Sequence, residues 1–230
     1  MYQSSSGKMC SSSIVIAALA SMEISGNIAA NLRSYPWSMM ACVCTLIDPA
    51  TTLLAGACDG IAETVARTLG RFGVRALRYA AGRGTRIIPL SLGQRYRDAS
   101  PTLRRLGVEV DAWPVPPAGL FVVEERTMYL RDAGPMTVAH EFGHALDCAL
   151  GGGVYRSGYD TQVRSAFSNA HEFVTPYAAV GLDEYFAESL RAYVEINDSN
   201  SPWPKATRER LLSIDLPMYT YIQSLFDTVF

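Results

Sequence analysis

The chain has 230 residues, a length that excludes two ordinary domains joined by a linker. With 49% hydrophobic and 18% charged residues, the composition excludes a disordered chain, and no apolar run approaches the roughly 18–20 residues that a transmembrane helix needs. The net charge of −2 conceals a basic segment at 61–110 with ten arginines and three acidic residues, a pattern typical either of a surface for nucleic acid or lipid or of two faces of one fold that neutralise each other.

Residues 1–60 are predicted to form an N-terminal extension, partly disordered, for which the sequence indicates no function. The first 13 residues are rich in serine and carry one charge. The apolar run Ile14–Ala20 ends in a sequence that resembles the cleavage site of a secretory signal. The run is short for such a signal, because the cleavage site itself would consume its end. We therefore identify no clear signal peptide.

Residues 61–230 are predicted to form the folded domain. Apolar residues recur at helical spacing from Gly60 onward, at Ile61, Val65, Leu69 and Phe72. Four runs are predicted to be short strands, the last two as a hairpin: Thr85–Leu90, Val108–Val110, Gly119–Val123 and Thr127–Leu130. The segment Trp113–Pro117 contains three prolines and is predicted to be a loop, since proline cannot join a central strand.

The most informative feature is the motif HEFGH, on a predicted helix that begins near Pro135 and ends at Gly151–Gly153. His140 and His144 are four residues apart, so both imidazoles project from one side of the helix and can reach one zinc ion. Glu141 is rotated about a third of a turn away, where it flanks the metal without binding it. The motif predicts one catalytic Zn²⁺, with Glu141 as the general base that accepts a proton from water.

A catalytic zinc ion also needs a third protein ligand. His171 does not have the spacing of the extended motif HExxHxxGxxH, and we expect it to be a structural or surface residue. A second predicted helix carries a row of charged residues opposite its apolar side: Glu184, Glu188, Arg191 and Glu195. On spacing alone, this row is as typical of a solvated helix face as of a helix that turns Glu184 toward the metal. In the second case Glu188 would hydrogen-bond a ligand imidazole.

Three separated motifs, HEFGHALD, TPYA and EYFAE, occur in this order and resemble the catalytic domain of anthrax lethal factor and its relatives, which include the Pro-Pro endopeptidases. The resemblance covers residues 120–230. It implies an α+β fold, a zincin-like metallopeptidase domain with a small mixed sheet packed on the HExxH helix and a C-terminal helical half. It also implies Glu184 as the third zinc ligand, as in gluzincins, and Tyr177 as a proton donor to the oxyanion of the tetrahedral intermediate.

These features predict a zinc-dependent endopeptidase that acts on a protein or peptide substrate. The resemblance implies a toxin or effector that is secreted or delivered to a target cell. We expect the strand Thr127–Leu130 to offer an edge to which an extended peptide adds as a further strand. Two alternatives are a module that binds nucleic acid or a membrane surface through Arg67 to Arg105, and a zincin fold that binds a partner without turnover. Few aromatic residues interleave those arginines, so we expect no nucleic-acid partner.

Overall fold

The computed structural model describes residues 60–200 and 205–230, together with Leu53. Apart from Leu53 and Gly60, the predicted extension and its apolar run lie outside these residues. The described helices are α1 (Gly60–Gly70), α2 (Gly73–Gly82), α3 (Tyr96–Ala99), α4 (Pro101–Leu106), α5 (Pro135–Leu150), α6 (Thr161–Asn169), α7 (Leu182–Tyr193), α8 (Arg208–Ile214) and α9 (Leu216–Thr228). The described strands are β1 (Arg86–Pro89), β2 (Gly119–Val122) and β3 (Thr127–Leu130). Each of these helices is too short or too polar to cross a membrane. The predicted α+β class is confirmed.

The three strands form one mixed sheet in the order β1-β3-β2. β3 runs parallel to β1 and antiparallel to β2, so the predicted hairpin is confirmed. Because β3 is paired on both sides, it has no free edge. The prediction that Thr127–Leu130 accepts an added peptide strand is therefore wrong, and among the described strands only β1 and β2 lie at the edges of the sheet.

The strand predicted at Val108–Val110 is also absent from the described sheet. The chain instead makes a short 3-10 turn at Val110–Ala112. The Val110 side chain is buried in a small second core with Tyr96 and Tyr129. The carboxylate of Asp111 accepts a hydrogen bond of 3.0 Å from the backbone N–H of Tyr96, which ties this segment to α3 rather than to the sheet.

The HExxH helix α5 lies in the main core. Its predicted limits are confirmed, with Pro135 in the first turn and Gly151 directly after the last residue. Every residue from Glu141 to Leu150 is buried, because both β2 and β3 pack on α5 and α7 crosses it. The polar residues of the motif are therefore held inside the protein rather than on a solvated helix face.

Candidate metal centre

Side chains from α5 and α7 converge on one point. His140, His144 and Glu184 each offer a ligand atom, and these atoms all lie within 4.8 Å of one another. The Nε2 atoms of the two histidines are 3.1 Å apart. Glu184 Oε2 lies 3.1 Å from Nε2 of His140 and 3.4 Å from Nε2 of His144. The structure thus brings together the three predicted ligands.

A metal ion would satisfy these three donor atoms better than their contacts with one another do. Glu184 Oε2 is buried and accepts no hydrogen bond of acceptable geometry from the described residues, although two imidazole nitrogens lie beside it. An unpartnered buried carboxylate oxygen is costly. Two imidazole nitrogens and one carboxylate oxygen aimed at a common point are a donor set that a divalent metal ion accepts. These three residues could therefore hold one metal ion.

Close contact between the two helices produces this convergence. Gly143 lies within the HExxH motif and faces Ala187, which stands between Glu184 and Glu188 on α7. A Cβ atom added to Gly143 would lie 2.8 Å from the Cα atom of Ala187, closer than real Cβ atoms approach. The glycine therefore lets α7 approach α5 closely enough for its carboxylates to reach the histidines.

Glu188 contacts Nδ1 of His140, the ring nitrogen that does not face the point of convergence. Its Oε1 atom lies 3.0 Å from Nδ1 of His140, as the sequence predicts for a carboxylate that orients a ligand imidazole. Thr175 Oγ1 donates a 2.6 Å hydrogen bond to Oε2. Arg191 donates to both carboxylate oxygens, at 2.9 and 2.8 Å. Burial acts to raise the pKa of Glu188, but His140 and Arg191 outweigh it and hold this pKa well below its ordinary value.

The alternative interpretation of the charged row as a solvated helix face is wrong for its central members. Arg191 is 1% exposed and Glu188 5%. Glu195 lies beyond the end of α7 and is exposed. Sequence reasoning missed Arg191 and Thr175 as partners of Glu188. The spacing of three residues between Glu188 and Arg191 is typical of an ion pair on a helix, and it was the one available signal.

The carboxylates of Glu184 and Glu188 favour a positive charge between the two histidines. Burial acts to lower the pKa of His140, but Glu184 and Glu188 outweigh it and raise this pKa to about 10. Burial acts to raise the pKa of Glu184, yet the adjacent imidazoles hold it at about 2. A cation between the two histidines is thus electrostatically favoured, whether it is a proton or a metal ion.

Glu141 lies beside the convergent donors but is not one of them, as the motif predicts. It is 7% exposed. Burial raises the pKa of Glu141, although the charges of His140 and His144 oppose this shift. Gly119, the first residue of β2, packs directly on the Glu141 side chain, because an added Cβ atom would lie 2.5 Å from Glu141 Cγ. The outer strand β2 therefore borders the candidate base.

Two tyrosines flank the histidines. Tyr177 donates a 3.1 Å hydrogen bond to Glu184 Oε1, and its ring centroid is 5.3 Å from that of His140. Burial and the charge of Glu184 raise the pKa of Tyr177, so its hydroxyl keeps its proton at neutral pH. Tyr155, which the sequence analysis missed, lies 5.5 Å from His144 and 6.4 Å from Phe121 of β2, measured between ring centroids. Its position after the glycine-rich turn carries no recognisable signal.

His171 is exposed and is not part of the convergent group, in agreement with the surface role expected for it.

The fold is similar to that of a solved peptidase structure. The PRO-PRO endopeptidase PPEP-2 from Paenibacillus alvei matches with a TM-score of 0.55 and 19% sequence identity, over 77% of this chain and 99% of that one. No family model matches the chain, and no curated protein matches it. The likeness to PPEP-2 shows a related α+β fold, whereas the resemblance to lethal factor stays a prediction.

Proposed function

We propose that this chain is a zinc-dependent endopeptidase that hydrolyses peptide bonds of a protein or peptide substrate. The observation that carries the proposal is the convergence of His140, His144 and Glu184 on one point beside the buried carboxylate of Glu141. The fold likeness to a Pro-Pro endopeptidase supports it. We extend the proposal to a secreted toxin or effector on the sequence resemblance alone.

The surrounding residues have separable roles in this reaction. Zinc, when bound, supplies a Lewis acid that polarises the scissile carbonyl and acidifies a water molecule. Glu141 accepts the proton of the attacking water and delivers it to the leaving amine. Tyr177 donates its hydroxyl proton in a hydrogen bond to the carbonyl oxygen as negative charge develops there. Glu188 fixes the ring orientation of His140.

The outer strand β2 is the edge on which we place the substrate. It begins at Gly119, in contact with Glu141, and it lies at the end of the sheet order. An extended peptide that hydrogen-bonds to this edge would pass beside the candidate base. This position replaces the one predicted on Thr127–Leu130.

The test combines metal analysis with cleavage of a diverse peptide library by the full chain. Glu141→Gln keeps the volume of the side chain next to Gly119 and should retain one zinc ion per chain while losing cleavage. His144→Ala should lose both zinc and cleavage. Turnover by Glu141→Gln would refute the general-base role. Stoichiometric zinc without cleavage of any peptide would instead indicate a silent binding protein, and steeply salt-dependent retention on nucleic acid without cleavage would favour the arginine-rich binding module.

A further inference from the structure

A second site lies at the C-terminal end of α5, and none of the convergent metal donors lines it. It is a cavity of about 260 Å³. Its lining residues come from the end of α2, the hairpin turn, the end of α5 and the glycine-rich turn that follows: Arg83, Thr85, Arg126, Cys148, Ala149, Gly152 and Gly153. We call it the arginine cavity.

Two guanidinium groups line the arginine cavity without a carboxylate partner. Neither Arg83 nor Arg126 forms an ion pair within residues 60–200 and 205–230. Arg126 donates a 2.9 Å hydrogen bond to the backbone oxygen of Arg83, so its side chain lies against the backbone at the end of α2. Arg83 lies 4.9 Å over the ring of Tyr79 and donates a 3.4 Å bond to the backbone oxygen of Ala149. Each guanidinium has five N–H donors, and most of them donate to no acceptor in the described part of the chain.

The other groups around the arginine cavity determine whether it favours an anion or a cation. Opposing negative charge comes from the C-terminal end of α5, about half a charge, and from Glu124 and Asp147, which act on the lining residue Cys148 without lining the cavity themselves. Thr85 is 5% exposed, and its hydroxyl makes no hydrogen bond within the described part of the chain. The lining itself therefore carries two positive charges, unused N–H and O–H donors and no carboxylate, a combination that favours an anion.

The backbone conformations of Arg126 and Gly153 allow the Arg126 side chain to lie beside the glycine-rich turn. Arg126 has a φ of 51°, in the left-handed region where glycine or asparagine is usual. Gly153 has a φ of 119°, and a Cβ atom added there would lie 2.9 Å from Nη2 of Arg126. The left-handed conformation closes the hairpin turn after Val123–Glu125, and Gly153 leaves room for the guanidinium that the turn presents to the cavity.

We infer that the arginine cavity binds a phosphate group. A cavity of about 260 Å³ lies below the range of about 300–1,000 Å³ that is typical of pockets for larger ligands. It therefore suits a single tetrahedral oxyanion rather than a nucleotide. Arginine forks bind phosphate oxygens in pairs, and two forks with a hydroxyl provide enough donors. This inference does not depend on the proposed peptidase activity.

The experiment follows thermal unfolding of the full chain as sodium phosphate is added at constant ionic strength, with sodium chloride as the balancing salt. We expect a saturable rise in the midpoint of about 3–5 °C once phosphate reaches about ten times its dissociation constant. O-phosphoserine serves as a second probe. A rise with phosphate alone identifies the free ion as ligand, and an equal or larger rise with O-phosphoserine identifies a phosphomonoester.

The double variant Arg83→Gln/Arg126→Gln should lose this rise. The matched control is Arg105→Gln, which removes an exposed charge of α4 that has no ion pair in the described residues and should leave the midpoint curve unchanged. Far-ultraviolet circular dichroism establishes that each variant is folded. The inference is overturned if phosphate gives no saturable rise with the native chain, or if the double variant shows the same rise.

Discussion

Gly143 of α5 and Ala187 of α7 touch through their backbones, so that a Cβ atom on the glycine would lie 2.8 Å from Cα of the alanine and 3.0 Å from its Cβ. The histidines of HExxH lie three residues before and one residue after this contact. The two glutamates of α7 lie three residues before and one residue after it as well. The contact therefore sets how far Glu184 and Glu188 stand from the imidazoles.

Gly143→Ala should push α7 away from α5. Alanine favours a helix by about 1 kcal/mol over glycine, but overpacking costs about 1–3 kcal/mol, so we expect a net loss of stability. We also expect zinc affinity to fall about tenfold or more, since Glu184 moves with α7. Urea unfolding and competition with a chelator measure the two effects. The control is Gly82→Ala, where an added Cβ atom meets nothing within 4 Å. Zinc affinity unchanged in Gly143→Ala would show that the contact does not position Glu184.

Glu188→Gln should weaken both the metal centre and the fold. It leaves the buried guanidinium of Arg191 without its carboxylate, a change that costs about 3–5 kcal/mol at a buried ion pair. Loss of a carboxylate behind a ligand histidine lowers metal affinity about 10–100-fold. Unfolding by urea and zinc competition measure these losses, with the exposed Glu172→Gln as control.

Thr175→Val tests the same carboxylate more gently, because it removes one hydroxyl, which donates to Glu188 and accepts a 3.3 Å hydrogen bond from the N–H of Ala178. We expect a loss of about 1–3 kcal/mol in the free energy of unfolding and a folded, measurable protein. If this variant binds zinc as tightly as the native chain and Glu188→Gln does too, Glu188 has a purely structural role.

Tyr177→Phe should lower kcat by about 100-fold or more while zinc content stays at one ion per chain. The reason is that the hydroxyl lies 3.1 Å from Glu184 Oε1, beside the candidate metal donors, where under the proposed function it donates to the carbonyl oxygen as that oxygen becomes charged. Steady-state cleavage of a library-derived peptide measures kcat and KM separately. Tyr159→Phe, at a tyrosine that is 54% exposed, is the control. An unchanged kcat in Tyr177→Phe would remove this residue from the catalytic machinery.

Asp160→Asn should alter the pH dependence of stability. Burial acts to raise the pKa of Asp160, but Arg156 and the first backbone N–H groups of α6 hold it below its ordinary value. A lowered folded-state pKa stabilises the protein above the unfolded-state pKa near 4, and this stabilisation is lost as the pH falls. We expect the native chain to exceed the variant by about 1 kcal/mol at pH 7 and by less below pH 4. Urea unfolding at both pH values is the measurement, and a difference that stays constant would contradict the assignment.

The HExxH helix α5 and the hairpin were predictable because their signals are local. The spacing of His140 and His144, the early proline and the terminal glycines define α5 within one stretch of sequence. Glu184 was predictable only through its motif, since spacing alone fits an exposed helix face equally well.

The wrong predictions concern residues whose structure depends on segments that are distant in the sequence. β3 is central because β1 pairs with it although α3, α4 and β2 lie between them in the sequence, and no residue of β3 itself specifies that partner. Val108–Val110 has the apolar alternation of a strand, but Asp111 binds the backbone of Tyr96 instead. Arg191 has the character of a surface residue, and its burial depends on Glu188 and on the backbone oxygen of Ile196, which accepts a 2.8 Å hydrogen bond.

The placement of the donors on α5 and α7 has a consequence for biosynthesis. A chain emerging from the ribosome presents His140 and His144 before it presents Glu184, because domains are made from the N-terminus onward. Two imidazoles on a lone helix hold a divalent ion only weakly, and the third donor arrives with the helix that also covers them. Under the proposed function, tight binding of zinc, and with it hydrolysis, therefore requires that α7 has been synthesised and has packed on α5.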